Sequence, residues 1–292
     1  MSASSTTAQA TRTPPVTRPR RRVHPSRMLG YAILVLFAVV QLAPVALMFM
    51  NSMKSDAEVL NRPIGLPSSV RVENYADIWE RANFSGYLLN SIVVTTCSVA
   101  LLLLVASMLA FYIARFDFPW NKIIVIGFLI GLMVPLRFAV IPIFEMMRGA
   151  GLLDTLTGLV IIHAAERLSF SVFVLYGFAL AVPRDIEEAA LMDGAGWGRI
   201  YRSVFLPLMR PALGTVAIVT AVSIWNEFFF PLVMIRSEGK RTLPLGLSTV
   251  MAEFRTEWAL LFAGLTIAAI PIIILFVMMS RQFIDGMVEG TR

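Results

Sequence analysis

Six largely apolar stretches, at 28–50, 88–114, 123–147, 158–182, 212–236 and 259–279, constrain this chain of 292 residues more than any other feature. Each holds at least 21 residues. A bilayer core needs about 20 apolar residues at 1.5 Å rise apiece. The composition fits: 57% of residues are hydrophobic and 15% charged, where soluble domains carry about 25% charged residues. A soluble fold of this length has no interior large enough for so much apolar surface. The pattern predicts an all-α polytopic membrane protein with six transmembrane helices, because only helices and closed barrels satisfy their backbone polar groups in lipid.

The net charge of +6 does not point to nucleic acid. Arg12, Arg18, Arg20, Arg21, Arg22 and Arg27 crowd into the first 27 residues. That segment is rich in Ser, Thr and Pro and buries too little apolar surface to order itself, so 1–27 is expected to be a disordered basic cytoplasmic tail. A signal peptide is the competing possibility, but its apolar region is typically about 7–15 residues, shorter than the run at 28–50. With the N-terminus inside, inside segments hold 14 Lys and Arg and outside segments 9, which predicts cytoplasmic termini. The single cysteine, Cys97, excludes an intrachain disulfide, and two distant histidines, His24 and His163, give no metal-ligand spacing. No metal or cofactor is expected.

The most patterned segment is the predicted cytoplasmic loop 183–211. Asp185 is placed to cap a short helix with Glu188 reaching back to it, and Gly194 to end that helix in a left-handed conformation. Ile186, Ala189, Ala190 and Asp193 follow helical spacing on one face. Trp197, Ile200, Tyr201, Val204 and Phe205 form the stripe of a second helix, with Leu206-Pro207 expected to break it. Such a loop suits either an amphipathic surface lying on headgroups or a docking helix for a cytoplasmic partner.

Glu188-Ala189-Ala190, Gly194, Val204 and Leu206-Pro207 resemble the EAA motif of membrane subunits of prokaryotic ABC importers. Val204 stands where that family usually has Ile, and Gly196 where many members have a Ser or Thr cap. Further segments are similar to the MalG-like sugar-importer branch: Asn90-Ser91, 110–115, Pro142-Ile143-Phe144, 151–155, Trp225-Asn226-Glu227-Phe228 with Pro231-Leu232, and Thr242 to Leu247. The resemblance covers about 28–285, a six-helix permease domain, and leaves 286–292 as a C-terminal tail. It implies the type I permease fold, a multi-pass place in the prokaryotic inner membrane, and five associations: a second homologous permease subunit, an ATPase subunit dimer, an extracytoplasmic sugar-binding protein, a sugar substrate and the lipid bilayer. It further implies that Glu188, Ala189, Ala190, Asp193, Gly194, Val204, Leu206 and Pro207 couple to the ATPase, and that Thr242, Leu243, Pro244, Leu245, Gly246 and Leu247 reach toward the binding protein.

The chain carries no Gly-x-x-x-x-Gly-Lys-Ser/Thr loop, so it is not expected to be an enzyme; ATP hydrolysis would fall to partner subunits. Ionisable residues within spans mark functional sites by default. Arg137, Trp225, Asn226 and Glu227 are candidates for the translocation pathway, although Trp225 and Asn226 equally suit packing between helices. Glu166 and Arg167, adjacent on a helix, are expected to point apart. His163 and Cys97 are expected to be packing residues. An ion-coupled secondary transporter is the alternative, but it predicts inverted repeats and a carboxylate relay, neither of which is evident.

Overall fold

In the computed structural model, the described residues are 25–81, 83–253 and 257–289, with side chains at 28–80, 83–251 and 257–277. The basic tail therefore lies outside them, apart from its last residues, where α1 (Pro25–Asn51) begins. By its contacts the chain divides within α1, at Ala46 and Leu47. In the first unit every described side chain, Met28 to Ala46, is exposed.

Among the described residues, the regular elements of the second unit are all helical. After α2 (Asp56–Asn61) and α3 (Glu73–Arg81), α4 (Phe84–Arg115) and α7 (Leu156–Ala181) form the central pair. Both carry small buried residues: Ser91, Ser98, Ala106, Ser107 and Ala110 on α4, and Ala164, Ser171 and Ala179 on α7. Without a hydrophobic effect between helices in lipid, close backbone approach over small residues is what gives such a pair its dispersion contacts. Cys97 falls beside the buried face of α4 and is exposed, so it is not the packing residue the sequence suggested. The turn-by-turn alternation that buries Val94 and Ser98 leaves it outside. His163 is buried.

Two expected spans are broken. The stretch 123–147 is α5 (Asn121–Met133), a 3₁₀ turn (Leu136–Ala139) and α6 (Val140–Gly149), bent by 86°. Pro135 disfavours helical geometry at Val134, which is extended at φ −88°, ψ 114°. Pro142 stays in the first turn of α6, where its missing N–H costs nothing. The stretch 212–236 is also not one helix. Beyond α8 (Arg184–Met192), α9 (Trp197–Ile200), a π turn (Tyr201–Phe205) and α10 (Leu206–Leu208), α11 runs over Arg210–Trp225 and α12 over Phe229–Met234. Its 16 residues make α11 about 24 Å long, short of a bilayer core. Pro231 cannot donate to the carbonyl of residue 227, and the chain breaks there.

A 3₁₀ turn (Glu238–Lys240) and α13 (Leu243–Glu253) lead to α14 (Trp258–Glu289), which runs past the boundary expected after 285. Four described helices are long and apolar enough to cross a membrane, and up to six spans result if each bent pair counts as one. Gly246 on α13 lies against the Tyr87 ring so closely that a Cβ would collide with it. Gly239 has open space around it. Gly246→Val is therefore expected to destabilise the purified protein by about 1–3 kcal/mol through overpacking, read as a lowered melting temperature in detergent, while Gly239→Ala leaves it unchanged.

Candidate functional site

The loop after α7 is tied to the spans by a buried ion pair. Arg115, the last residue of α4, meets Glu187 of α8 with Nε at 2.6 Å from Oε2 and 2.8 Å from Oε1, and both side chains are 3% exposed. Both terminal nitrogens of the guanidinium bond as well: Nη1 reaches the Ala179 carbonyl at 2.9 Å and Nη2 the Val182 carbonyl at 3.2 Å. Arg184 adds a bond to the Ala114 carbonyl at 3.3 Å. Below this pair lies an aromatic layer in which Phe111 touches Trp197, Tyr201 and Phe205. The Tyr201 and Ser107 hydroxyls are 2.8 Å apart. The loop is thus docked on α4 and α7 rather than hanging between spans.

This docking decides which residues are presented. Glu187 turns inward, and Glu188, Ala189, Met192, Asp193 and Gly194 face out, with Ala190 half-buried. The helix begins two residues earlier than the sequence suggested: Pro183, not Asp185, is its N-cap and makes no side-chain bond. Asp185 sits in the first turn, where it favours the helix dipole, and the expected capping box with Glu188 is absent, because the inward bonds of Arg184 and Glu187 set the start. Gly194 has φ +79°, the left-handed conformation expected of it. Val204 is half-buried in the core; Leu206 and Pro207 do not break the helix but continue it as α10. Pro207 falls in a first turn, where it is tolerated. The 72° bend comes instead at Met209, just before Pro211.

A second ionic cluster joins the two helix breaks. Glu227, buried between α11 and α12, accepts the Phe229 N–H at 2.9 Å on Oε1. Its Oε2 faces Arg167 Nη2 of α7 at 3.6 Å and Arg137 Nη2 of the α5–α6 bend at 3.3 Å. Arg167 also bonds the Ser223 hydroxyl at 3.0 Å and pairs with Glu166. The sequence placed Glu166 and Arg167 pointing apart; the long arginine side chain curls back and closes the gap. Arg137 remains 61% exposed, its guanidinium 5.6 Å from the Phe229 ring centre.

Trp225 is buried and its indole N–H donates to the Ala268 carbonyl of α14 at 3.2 Å, so it serves packing. It also borders a groove of about 370 Å³ with Asn226, Phe228, Pro244 and Ser248. Thr242, Leu243, Leu245, Gly246 and Leu247 are interior, and Pro244 is half-buried. The segment expected to reach a binding protein therefore packs on α4: the Leu243 N–H bonds the Ser91 hydroxyl at 2.8 Å. Residues 236–240 of that connection are exposed. Among the described residues, no three His, Cys, Asp or Glu side chains come together to hold a metal ion.

Residues 103–288 match the family described as "Binding-protein-dependent transport system inner membrane component". The chain belongs to this family. It is 34% identical over 265 residues, 90% of this chain and 88% of the relative, to the diacetylchitobiose uptake system permease protein NgcG of Streptomyces coelicolor. It is 30% identical to the arabinooligosaccharides transport system permease protein AraQ of Bacillus subtilis, covering 88% of this chain and 92% of that one. Among solved structures, a bacterial ABC transporter involved in the import of the acidic polysaccharide alginate matches with a TM-score of 0.78 at 25% identity, over 93% of this chain and all of that one. The fold is that of a type I ABC importer permease. Such a permease subunit is not an enzyme; a separate ATPase hydrolyses the ATP.

The sequence did not single out Glu187, one of two adjacent glutamates, or Asp154. Asp154 adopts φ 55°. Its carboxylate takes the Arg236 and Ser237 N–H groups at 2.9 Å each and the Ser237 hydroxyl, and Lys240 lies 3.3 Å away. The bonds from Ser237 come first in holding its pKa well below the usual carboxylate range. A depressed carboxylate stabilises the fold above its unfolded pKa, about 3.9, and loses that contribution as pH falls toward the folded value. The melting temperature of the native protein is expected to exceed that of Asp154→Asn at pH 5–7, with the gap closing below about pH 4.

The Arg115–Glu187 pair yields a second expectation. Removing one partner of a buried pair costs about 3–5 kcal/mol, whereas replacing both with apolar residues is often neutral. Arg115→Met alone is expected to lower thermal stability sharply, and Arg115→Met with Glu187→Leu to recover most of it.

Proposed function

We propose that this chain is the transmembrane subunit of an ATP-driven sugar importer, forming half of a translocation pathway and coupling to a separate ATPase dimer through the loop 183–211. The observation that carries this is the Arg115–Glu187 pair, which fixes α8 to the ends of α4 and α7 while turning Glu188, Ala189, Met192 and Asp193 outward. A helix held this firmly transmits the closure of a partner as movement of the spans rather than as local yielding. In an alternating-access cycle that movement exchanges two packed arrangements. The cargo is a sugar or oligosaccharide, in keeping with relatives named for diacetylchitobiose and arabinooligosaccharides.

A second homologous permease subunit completes the pathway, and an extracytoplasmic binding protein delivers the sugar. The termini lie in the cytoplasm, on the side of the coupling loop. Arg137, Asn226 and Glu227 line the path: Arg137 and Asn226 are exposed, and the break at Glu227 is irregular backbone of the kind membranes tolerate beside a cavity. Trp225 shapes the groove from behind.

Glu188→Ala and Gly194→Arg are expected to lower both transport and binding-protein-stimulated ATPase activity of the reconstituted complex, with the folded subunit still inserted. Gly194→Arg forces a side chain into a left-handed backbone position and a bulky charge onto the docking face. Unchanged transport with both substitutions would overturn the coupling assignment.

A further inference from the structure

In the segment between α1 and α3 a charged side chain is buried while the aliphatic ones other than Val59 are exposed. Lys54 is fully buried and donates to Asn51 Oδ1 at 2.8 Å, the Arg62 carbonyl at 2.8 Å and the Pro63 carbonyl at 3.3 Å. Asn74 bonds the Ser52 and Lys54 carbonyls at 2.8 and 2.9 Å. The Glu58 carboxylate takes the Ser68 N–H at 2.7 Å and its hydroxyl at 3.1 Å. The Arg71 N–H reaches the Met53 carbonyl at 2.9 Å. On the outward side, Leu60, Ile64, Leu66, Val70 and Val72 are exposed, Ile64 and Leu66 by 76% and 79%. In water, apolar side chains are driven inward. A connection that ties its buried cation and several polar groups internally while presenting Leu60, Ile64, Leu66, Val70 and Val72 beside Arg62 and Arg71 suits a surface that is part apolar and part charged.

Its position indicates which surroundings. Asp56 accepts the Ala259 N–H at 2.8 Å in the first turn of α14, and Trp79 lies 5.6 Å from Phe84, the first residue of α4. The segment therefore sits where two spans begin, at the end of α4 opposite Arg115. With 32 residues, α4 is about 48 Å long, enough to cross the core and both headgroup layers of roughly 40–45 Å. Trp79 and Trp258 are exposed at this level, as interfacial aromatics are. Between 60 and 72 the only charged residues are Arg62 and Arg71, both exposed, and both suited to lipid phosphates.

We propose that the outward side of residues 60–72 is embedded in the headgroup layer of the bilayer as a preformed anchor, with Ile64 and Leu66 inserted and Arg62 and Arg71 at phosphate level. The internal bonds of Lys54, Glu58 and Asn74 hold its shape, so insertion needs no folding step. The anchor fixes the outer ends of α4 and α14 relative to the membrane plane while the inner ends follow the coupling loop.

The test uses the full chain in its purified complex, with Cys97→Ser and a single Leu66→Cys carrying an environment-sensitive fluorophore, in nanodiscs of phosphatidylethanolamine and phosphatidylglycerol. A lipid spin-labelled near its headgroup is expected to remove most of the emission, and aqueous iodide little of it. The reverse is expected at Gly239→Cys, an exposed position on the 236–240 connection. Val70→Cys serves as a second site with the same expected result as Leu66→Cys. Quenching at Leu66→Cys by iodide but not by the lipid would place the segment in water and overturn the proposal. Protection from both quenchers would mean that a protein surface, from a second permease subunit or a binding protein, covers it, and would overturn it equally.

Discussion

Two opposite charges at the end of a membrane span, both withdrawn from water, set the geometry of the coupling loop. Moving an ion out of water costs several kcal/mol even after relaxation, so Arg115 and Glu187 are tolerable only because the surrounding backbone completes their bonding. The carbonyls of Ala179 and Val182 do this for the guanidinium. Those carbonyls come from the end of α7 and the residue just past it, where helices leave acceptors unused. The same arginine therefore satisfies a helix end, holds a second span and anchors α8. The aromatic layer around Phe111 fills the space beneath it. Any rearrangement of α8 relative to the spans must either carry this unit along intact or uncover two charges.

The irregular backbone within the spans follows a related rule. In lipid, unpaired backbone groups cost several kcal/mol, and breaks survive where protein or water meets their needs. The break at 226–228 is met from within: the Glu227 side chain takes the Phe229 N–H, and the Asn226 amide bonds the Val222 carbonyl. Arg167 then neutralises the carboxylate from α7, and Arg137 reaches it from the other bend. The cluster links two discontinuities, so the parts of the bundle least able to hold themselves rigid are joined by charge.

On the opposite side, connections rather than spans do the holding. Asp154 fastens the α6–α7 turn to the α12–α13 connection through backbone N–H groups, a carboxylate playing the part of a missing strand partner. Lys54 performs a comparable task for 51–63 with a cation and carbonyls. In both, a single charged side chain satisfies several local groups at once, which stiffens segments that have little regular structure.

The six apolar stretches, the helical class and the left-handed glycine at 194 were all legible in the sequence, because they follow from local chemistry: segment length against bilayer thickness, and a Cβ that does not fit. The bend before α11 was not, since Leu206-Pro207 was expected to break a helix that it continues and the bend falls at Met209. The EAA pattern was legible as well, being a matter of spacing within a single loop. What the sequence did not reveal were choices between equivalent neighbours and pairings across distance. Glu187 and Glu188 are the same residue side by side, and only the position of Arg115, 72 positions earlier, turns one inward and leaves the other for a partner. Thr242 to Leu247 lay in an outer connection and turned out to be interior, since their burial depends on α4 passing beside them. Local sequence determined where this chain could be helical. Tertiary packing alone decided which side chains became structure and which remained surface, because burial is a property of what lies across the gap.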